Sequence, residues 1–300
     1  MSYQHIDVKP ISGALGAEIY GADLATLTDD VFTEIHDAFL EHQVIFFRDQ
    51  IITPQQQVKF SARFAPIGYY PFLNGLPGCP EVIEVRKEPE DELNFGGVWH
   101  TDTAYLAEPP MGSVLYAKEI PETGGDTMFA NLYLAYETLS DAMKAILDGR
   151  RGVNSSRKGD AAAGRQKSVD ENPKDASDVQ TESIHPVVRI HPETGRKALY
   201  VNRGHTVCFE GTSPEESAPI LEFLFEHQIR PEFTCRFQWT PGSIAVWDNR
   251  CALHYPLNDY HGQRRVMHRV TMQYPMLVIF QLFQHLINAP ILKYDLGDLG

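Results

Sequence analysis

The chain has 300 residues, 43% of them hydrophobic and 22% charged, the balance of an ordinary globular protein, which excludes intrinsic disorder. With 26 basic and 40 acidic residues its formal net charge is −14. Such a chain repels nucleic acid and anionic membranes unless basic residues are segregated, and no basic run is present, so an anionic substrate must be caught by locally placed arginines.

Taken in chain order, Asp29 and Asp30 open a helix with Val31, Ile35, Ala38 and Phe39 on one face, and the β-rich run Val44–Phe47 follows. Thr53-Pro54 marks a second helix start, with proline at the first helical position. Another helix is expected from about Ser140 to Leu147, stopping at Gly149. Between 154 and 182 the composition shifts to Ser, Lys, Asp, Ala and Gly with almost no large apolar residue, the pattern of a mobile, lid-like loop without structure of its own. Segments 187–190 and 198–201 flank His191-Pro-Glu-Thr-Gly195 and read as a hairpin. Ser213-Pro-Glu-Glu216 is a capping box with proline inside it, leading into a helix that carries Leu221, Leu224 and Phe225. Segments 236–239, 243–247 and 264–274 are further strands. The pattern predicts one mainly β domain over 1–300, a sandwich or barrel with helices packed outside.

Cys79, Cys208, Cys235 and Cys251 show no CxxC spacing, which argues against a disulfide scaffold and a cysteine zinc site. The first residues lack a basic stretch followed by an apolar core, so no signal peptide is expected and the location is expected to be cytoplasmic. The apolar run 276–292 includes Gln281, Gln284, His285 and Asn288 and falls short of the ~20 apolar residues of a membrane span. It reads as a buried or interface helix.

Twelve histidines among 300 residues would place an acid two positions later once or twice by chance. Three such pairs occur, at His5/Asp7, His100/Asp102 and His191/Glu193. Only His100/Asp102 adjoins a strand-like segment, and in a strand residues i and i+2 project to one face. An imidazole and a carboxylate so placed can share a cation, and a second histidine would complete the facial triad of a non-haem iron site. A strand-end ion pair is the alternative. The segments Trp247 to His254 and Gln263 to Thr271 favour the metal: a strand through the latter puts Arg265, Met267, Arg269 and Thr271 on one face. Two arginines on an inward face are costly unless anions neutralise them, and arginine grips carboxylate or sulfonate as a bidentate fork.

These residues resemble the taurine dioxygenase and 2,4-dichlorophenoxyacetate dioxygenase family of Fe(II)/2-oxoglutarate-dependent oxygenases. The resemblance runs through Gly13 to Glu18, Gln43 to Arg48, Trp99-His-Thr-Asp102, Gly124-Gly-Asp-Thr127 and Trp247-Asp-Asn-Arg250 to Arg269. It implies a double-stranded β-helix (jelly-roll, cupin-like) core with flanking helices. It also implies His100, Asp102 and His254 as iron ligands, Arg265 with the Thr127 hydroxyl as the clamp for 2-oxoglutarate, and Arg269 as the anchor for an anionic substrate. The implied reaction consumes 2-oxoglutarate and dioxygen, releases succinate and carbon dioxide, and hydroxylates a substrate C–H bond. Retention of Asp102 points to hydroxylation rather than halogenation. A homo-oligomer, dimer or tetramer, is expected.

The pocket departs from the taurine-type pattern. A His and a Tyr that help hold taurine correspond to Tyr70 and Leu73, an Asn to Gly96, and two phenylalanines to Ser156 and His205. Tyr70 and His205 are candidate substrate contacts, with ordinary packing as the alternative. The altered walls suggest an anion bulkier than taurine: an aryloxyalkanoate, an alkyl sulfate or a larger sulfonate. The chain also continues beyond the usual end of the family, so 276–300 is an atypical extension. A catalytically silent jelly-roll that binds metal or 2-oxoglutarate is the second reading, and a zinc hydrolase is disfavoured because no general base stands beside the triad.

Overall fold

The computed structural model describes residues 3–175 and 177–273, and the extension 276–300 lies outside them. The chain opens with strands β1 (Asp7–Pro10) and β2 (Ala17–Tyr20), helix α1 (Asp29–His42), strand β3 (Val44–Phe47), helix α2 (Pro54–Ser61) and short strand β4 (Ile67–Gly68). Strands β5 (Val82–Lys87), β6 (Gly112–Glu119) and β7 (Thr127–Asn131) follow, then helices α3 (Leu132–Glu137) and α4 (Asp141–Leu147). Next come β8 (Arg151–Ser155), α5 (Gly159–Glu171), β9 (Glu182–Pro186), β10 (Val188–Ile190), β11 (Lys197–Leu199), β12 (Thr206–Phe209) and α6 (Pro214–Gln228). The last strands are β13 (Thr234–Phe237), β14 (Ile244–Asp248), β15 (Ala252–Pro256) and β16 (Arg265–Met272).

The helix starts follow their local chemistry. Thr53 with Gln56 and Ser213 with Glu216 form complete capping boxes, each followed by proline, and the Thr28 and Ser140 side chains cap α1 and α4. Residues 188–199 form the expected hairpin.

Eight strands make one sheet in the order β1-β2-β3-β14-β6-β16-β4, with β5 also paired to β16. Alternation along these strands serves two cores. Ile45, Phe47, Ile244, Val246, Val270 and Met272 pack with Ile35 and Phe39 of α1 and Phe60 of α2. Val44, Phe46, Ala245, Trp247 and Met267 pack instead with Phe129, Phe237 and Ala252 of a three-stranded sheet, β13-β7-β15. Phe46 stacks on Phe237 with ring centroids 3.9 Å apart. Each fully buried aromatic of this kind contributes about 2–3 kcal/mol of transfer free energy. Two facing sheets with helices outside are the expected jelly-roll core.

β16 lies between β6 and β5, so its register is held on both sides. A slip of one residue would turn Arg265, Met267, Arg269 and Thr271 out of the inter-sheet space. Among the described residues no helix is long and apolar enough to cross a membrane.

One expectation needs correction. Segment 154–182 is not without structure, because it contains the 13-residue helix α5. Its tethers come from distant parts of the chain: Asn172 Nδ2 donates to the Asn74 carbonyl at 3.0 Å, Asn74 Nδ2 donates to the Pro173 carbonyl at 2.7 Å, and Val169 packs beside Tyr70, Leu73 and Ile83. Composition within the segment holds no trace of such contacts.

Candidate active site

His254 lies on β15, and His100 is joined to it by reciprocal backbone hydrogen bonds of 3.0 and 2.9 Å. The expected strand through His100 and Asp102 is not formed. The pairing of His100 with His254 is an isolated bridge, after which the chain turns, with Thr103 at φ 41°. Asp102 therefore reaches the imidazoles from a turn and not from the same face of a strand. Its Oδ1 lies 3.9 Å from His100 Nε2 and 3.8 Å from His254 Nε2. Two donors bound at about 2.1 Å to a common ion are at most about 4.2 Å apart, so these spacings admit one divalent cation.

The protonation states suit a metal. Burial holds His100 below the usual imidazole range, and burial followed by the neighbouring His100 holds His254 well below it, so both rings are neutral. His100 Nδ1 lies 2.6 Å from the Val98 carbonyl, which keeps the proton there and frees Nε2. Burial opposes charge on Asp102, yet the neighbouring Arg269 guanidinium, supported by the Ser113 hydrogen bond, holds its carboxyl well below the ordinary value. Ser113 Oγ donates to Asp102 Oδ2 at 2.8 Å and Asn249 Nδ2 at 3.3 Å, while Oδ1 accepts from Arg269 Nη1 at 3.1 Å and is turned to the histidines.

Two cavities meet at this trio and share Phe95, Gly96, His100 and Arg269. One, of about 440 Å³, also holds Thr127, His254 and Arg265; the other, of about 330 Å³, also holds Tyr70, Asp102 and His205. Arg265 and Arg269 are 6% and 5% exposed, and Nε and Nη2 of each have no hydrogen-bond partner among the described residues. The Thr127 hydroxyl accepts from Trp239 Nε1 at 3.0 Å, which leaves its proton to donate. Orphaned guanidinium donors beside a free hydroxyl proton fit a dicarboxylate, and two neutral imidazoles with one carboxylate fit ferrous iron.

The candidate iron, 2-oxoglutarate and substrate residues come together: His100, Asp102, His254, Thr127, Arg265, Arg269, Tyr70 and His205 line the two cavities. The Tyr70 ring lies under Arg269, with Cζ 5.0 Å from its centroid. Burial and then His100 push His205 down to about 3. Leu73 instead packs with Tyr70 and Ile83, and the buried Ser156 offers its carbonyl to Arg165 at 2.9 Å. Gly96 has a positive φ of 73°, and a Cβ there would lie 2.9 Å from His100 Cε1. Sequence reasoning missed Phe95, Tyr105 and Arg165 in the cavity walls and the orienting roles of Ser113 and Asn249. Asn249 sat within a recognised motif, but nothing in that motif assigns it a target.

A second buried cluster, His191, Asp248 and Cys251, is closed to ligands. Arg250 donates to both Asp248 oxygens, at 2.7 and 2.6 Å, and His191 Nε2 lies 2.9 Å from Oδ2. This ion network braces the turn from β14 to β15 that carries Asn249.

A jelly roll with a His-Asp-His centre and buried arginines on its inner face defines a class of non-haem iron oxygenase. Residues 7–271 match the family described as "Taurine catabolism dioxygenase TauD, TfdA family", and the chain belongs to it. It is 36% identical to an alkylsulfatase of Acinetobacter baylyi, over 90% of this chain and 85% of that protein. It is 30% identical to an (S)-phenoxypropionate/alpha-ketoglutarate-dioxygenase of Sphingobium herbicidovorans, over 87% and 92% respectively. The fold matches a crystal structure of a taurine dioxygenase from Burkholderia xenovorans with a TM-score of 0.75 and 38% identity, covering 91% of this chain and 92% of that one. The protein is accordingly an Fe(II)- and 2-oxoglutarate-dependent dioxygenase, an oxidoreductase with dioxygen as cosubstrate, and nothing favours the silent module.

Proposed function

We propose that this dioxygenase hydroxylates a small organic anion of the alkyl sulfate, sulfonate or aryloxyalkanoate type, with each site residue in a defined role. His100, Asp102 and His254 hold the iron. Arg265 and Thr127 take the distal carboxylate of 2-oxoglutarate, and Arg269 takes the anionic group of the substrate, with Tyr70 and His205 shaping the wall. When bound, iron and 2-oxoglutarate supply the activation of dioxygen that converts a C–H bond to an alcohol. Hydroxylation at a carbon bearing sulfate, sulfonate or ether oxygen gives a product that falls apart.

The observation that carries this reading is the pair of buried, incompletely bonded arginines on one face of β16. Buried guanidinium donors left without partners are costly even where, as at Arg269, one nitrogen pairs with Asp102, and organic anions at both positions remove that cost. The rest of the chain prepares the centre. Ser113 and Asn249 orient the carboxylate, the Val98 carbonyl sets the tautomer of His100, and Phe95 and Trp247 supply apolar wall beside the charged groups. The alkylsulfatase and phenoxypropionate relatives support the substrate classes. A cytoplasmic location and a homo-oligomer belong to the same reading. Four free cysteines suit a reducing compartment, and light scattering reports the oligomer.

A panel of alkyl sulfates, sulfonates and aryloxyalkanoates, assayed for substrate-stimulated succinate release, tests the reading. The expected result is turnover of bulkier anions in preference to taurine. Efficient turnover of taurine alone would overturn it. In the absence of dioxygen, adding Fe(II) and 2-oxoglutarate should produce a visible charge-transfer band.

A further inference from the structure

We propose that Arg165 is a specificity-determining residue and that the substrate carries two anionic groups, the second of which Arg165 holds. The inference rests on the reading that the cavity beside Asp102 receives an organic anion. Arg165 enters that cavity from α5, whereas Arg269 enters it from β16. Its Nη2 donates to the Ser156 carbonyl at 2.9 Å, and its Cζ lies 4.8 Å from the Phe72 ring centroid and 5.8 Å from that of Tyr105. Arg269 sits over Tyr70, whose ring is 5.9 Å from that of Phe72 and tilted by 71°. The two guanidiniums therefore rest on neighbouring rings of one aromatic wall, each held by its own anchor.

Charge decides what can lie between them. Among the described residues Asp102 is the only carboxylate in the cavity lining, and it is bonded to Arg269 at 3.1 Å and turned to the histidines. Arg165 has no acidic partner among the described residues. A monoanion on Arg269 would leave Arg165 as a half-buried cation with only a carbonyl and two rings to stabilise it. A second anionic group on the substrate completes the pairing.

The position of Arg165 is built into the fold. A Cβ at Gly164 would lie 2.6 Å from the Asn94 carbonyl oxygen, so glycine is what allows α5 to approach the segment leading to Gly96 and His100. The C-terminal end of α5 is tied to Asn74. A cation on a helix fixed at mid-length and at its C-terminal end selects for charge separation as well as for charge.

The test is calorimetric binding to the full-length protein loaded with Fe(II) and 2-oxoglutarate without dioxygen. The probes are propanesulfonate and the propane disulfonate bearing its second group on the far terminal carbon. The wild-type protein should bind the disulfonate at least about tenfold more tightly, the effect of one charge-assisted contact. Arg165→Gln, which retains a donor for the Ser156 carbonyl, should abolish that preference while leaving the monosulfonate within about twofold. Arg269→Ala should weaken both probes. Equal wild-type affinities, or an Arg165→Gln protein that loses both probes alike, would overturn the proposal. If neither probe binds a protein that still takes up 2-oxoglutarate, the anion-cavity reading fails and the proposal with it.

Discussion

Asn249 and Asp102 are joined by two hydrogen bonds across 147 positions of sequence. The Asp102 amide donates to Asn249 Oδ1 at 3.3 Å, and Asn249 Nδ2 donates to Asp102 Oδ2 at 3.3 Å. Trp247 Nε1 donates to the same Asn249 Oδ1 at 3.0 Å and fixes the orientation of the amide. The backbone and the side chain of Asp102 are thus both set by one residue of the β14–β15 turn.

Asn249→Ala should therefore release the carboxylate from its set orientation. Outer contacts of this kind typically carry 10–100-fold in metal affinity. Titration of the purified protein with Fe(II) under nitrogen should show a loss in that range, with a smaller loss for Ser113→Ala, since Ser113 touches only the carboxylate. Unchanged metal affinity in both variants would mean that Asp102 is oriented without them.

Gly96→Ala should act on His100 directly. The substitution forces an L-residue into φ 73° and puts a methyl group 2.9 Å from His100 Cε1 and 3.2 Å from Nε2. The backbone strain costs about 1–2 kcal/mol, a modest change in the denaturant midpoint. The displaced imidazole should cost far more in metal binding, so the two measurements made on one variant should separate.

Arg265 and Arg269 lie on one face of β16 but open onto different combinations of the two cavities. Arg265→Ala should raise the KM for 2-oxoglutarate strongly, and Arg269→Ala should mainly uncouple succinate release from the organic anion. Each loses a charge-assisted contact worth ~1.5–3 kcal/mol. Steady-state kinetics with each cosubstrate varied in turn distinguishes them; effects confined to unfolding would refute both roles.

Acid should weaken the fold through His185. Its Nε2 lies 2.9 Å from the Leu106 carbonyl, and burial followed by Arg189 pushes it down to about 4. The unfolded chain binds the proton first, near pH ~6.5, so stability is complete above that value and falls as the pH drops toward about 4. The loss amounts to roughly 3 kcal/mol at most for this group. Denaturant midpoints followed from about pH 7 to about pH 4.5 should slope less in His185→Gln, which keeps a donor for the carbonyl.

Much of the architecture was legible along the chain. The Thr53 and Ser213 caps, the hairpin around His191 and the two-residue alternation of β16 rest on interactions within a few positions, which any segment displays in its own sequence. The facing arginines of β16 were readable for the same reason. The spacing of His100 and Asp102 points to the right pair through a strand face they do not share: the turn at Thr103 and the single bridge to His254 bring the carboxylate in. Helix α5 was missed because its anchors, Asn74 and the Asn94 segment, lie some 70 to 100 positions away.

What the sequence determined by itself was the chemistry available: two histidines, one aspartate and two arginines at spacings that a β fold can bring together. Tertiary structure decided which oxygen of Asp102 is left for a metal, which ring supports which guanidinium, and that a third arginine enters the cavity. Those choices depend on contacts between side chains far apart in sequence, whose distances become defined only when the two sheets close on one another and exclude water.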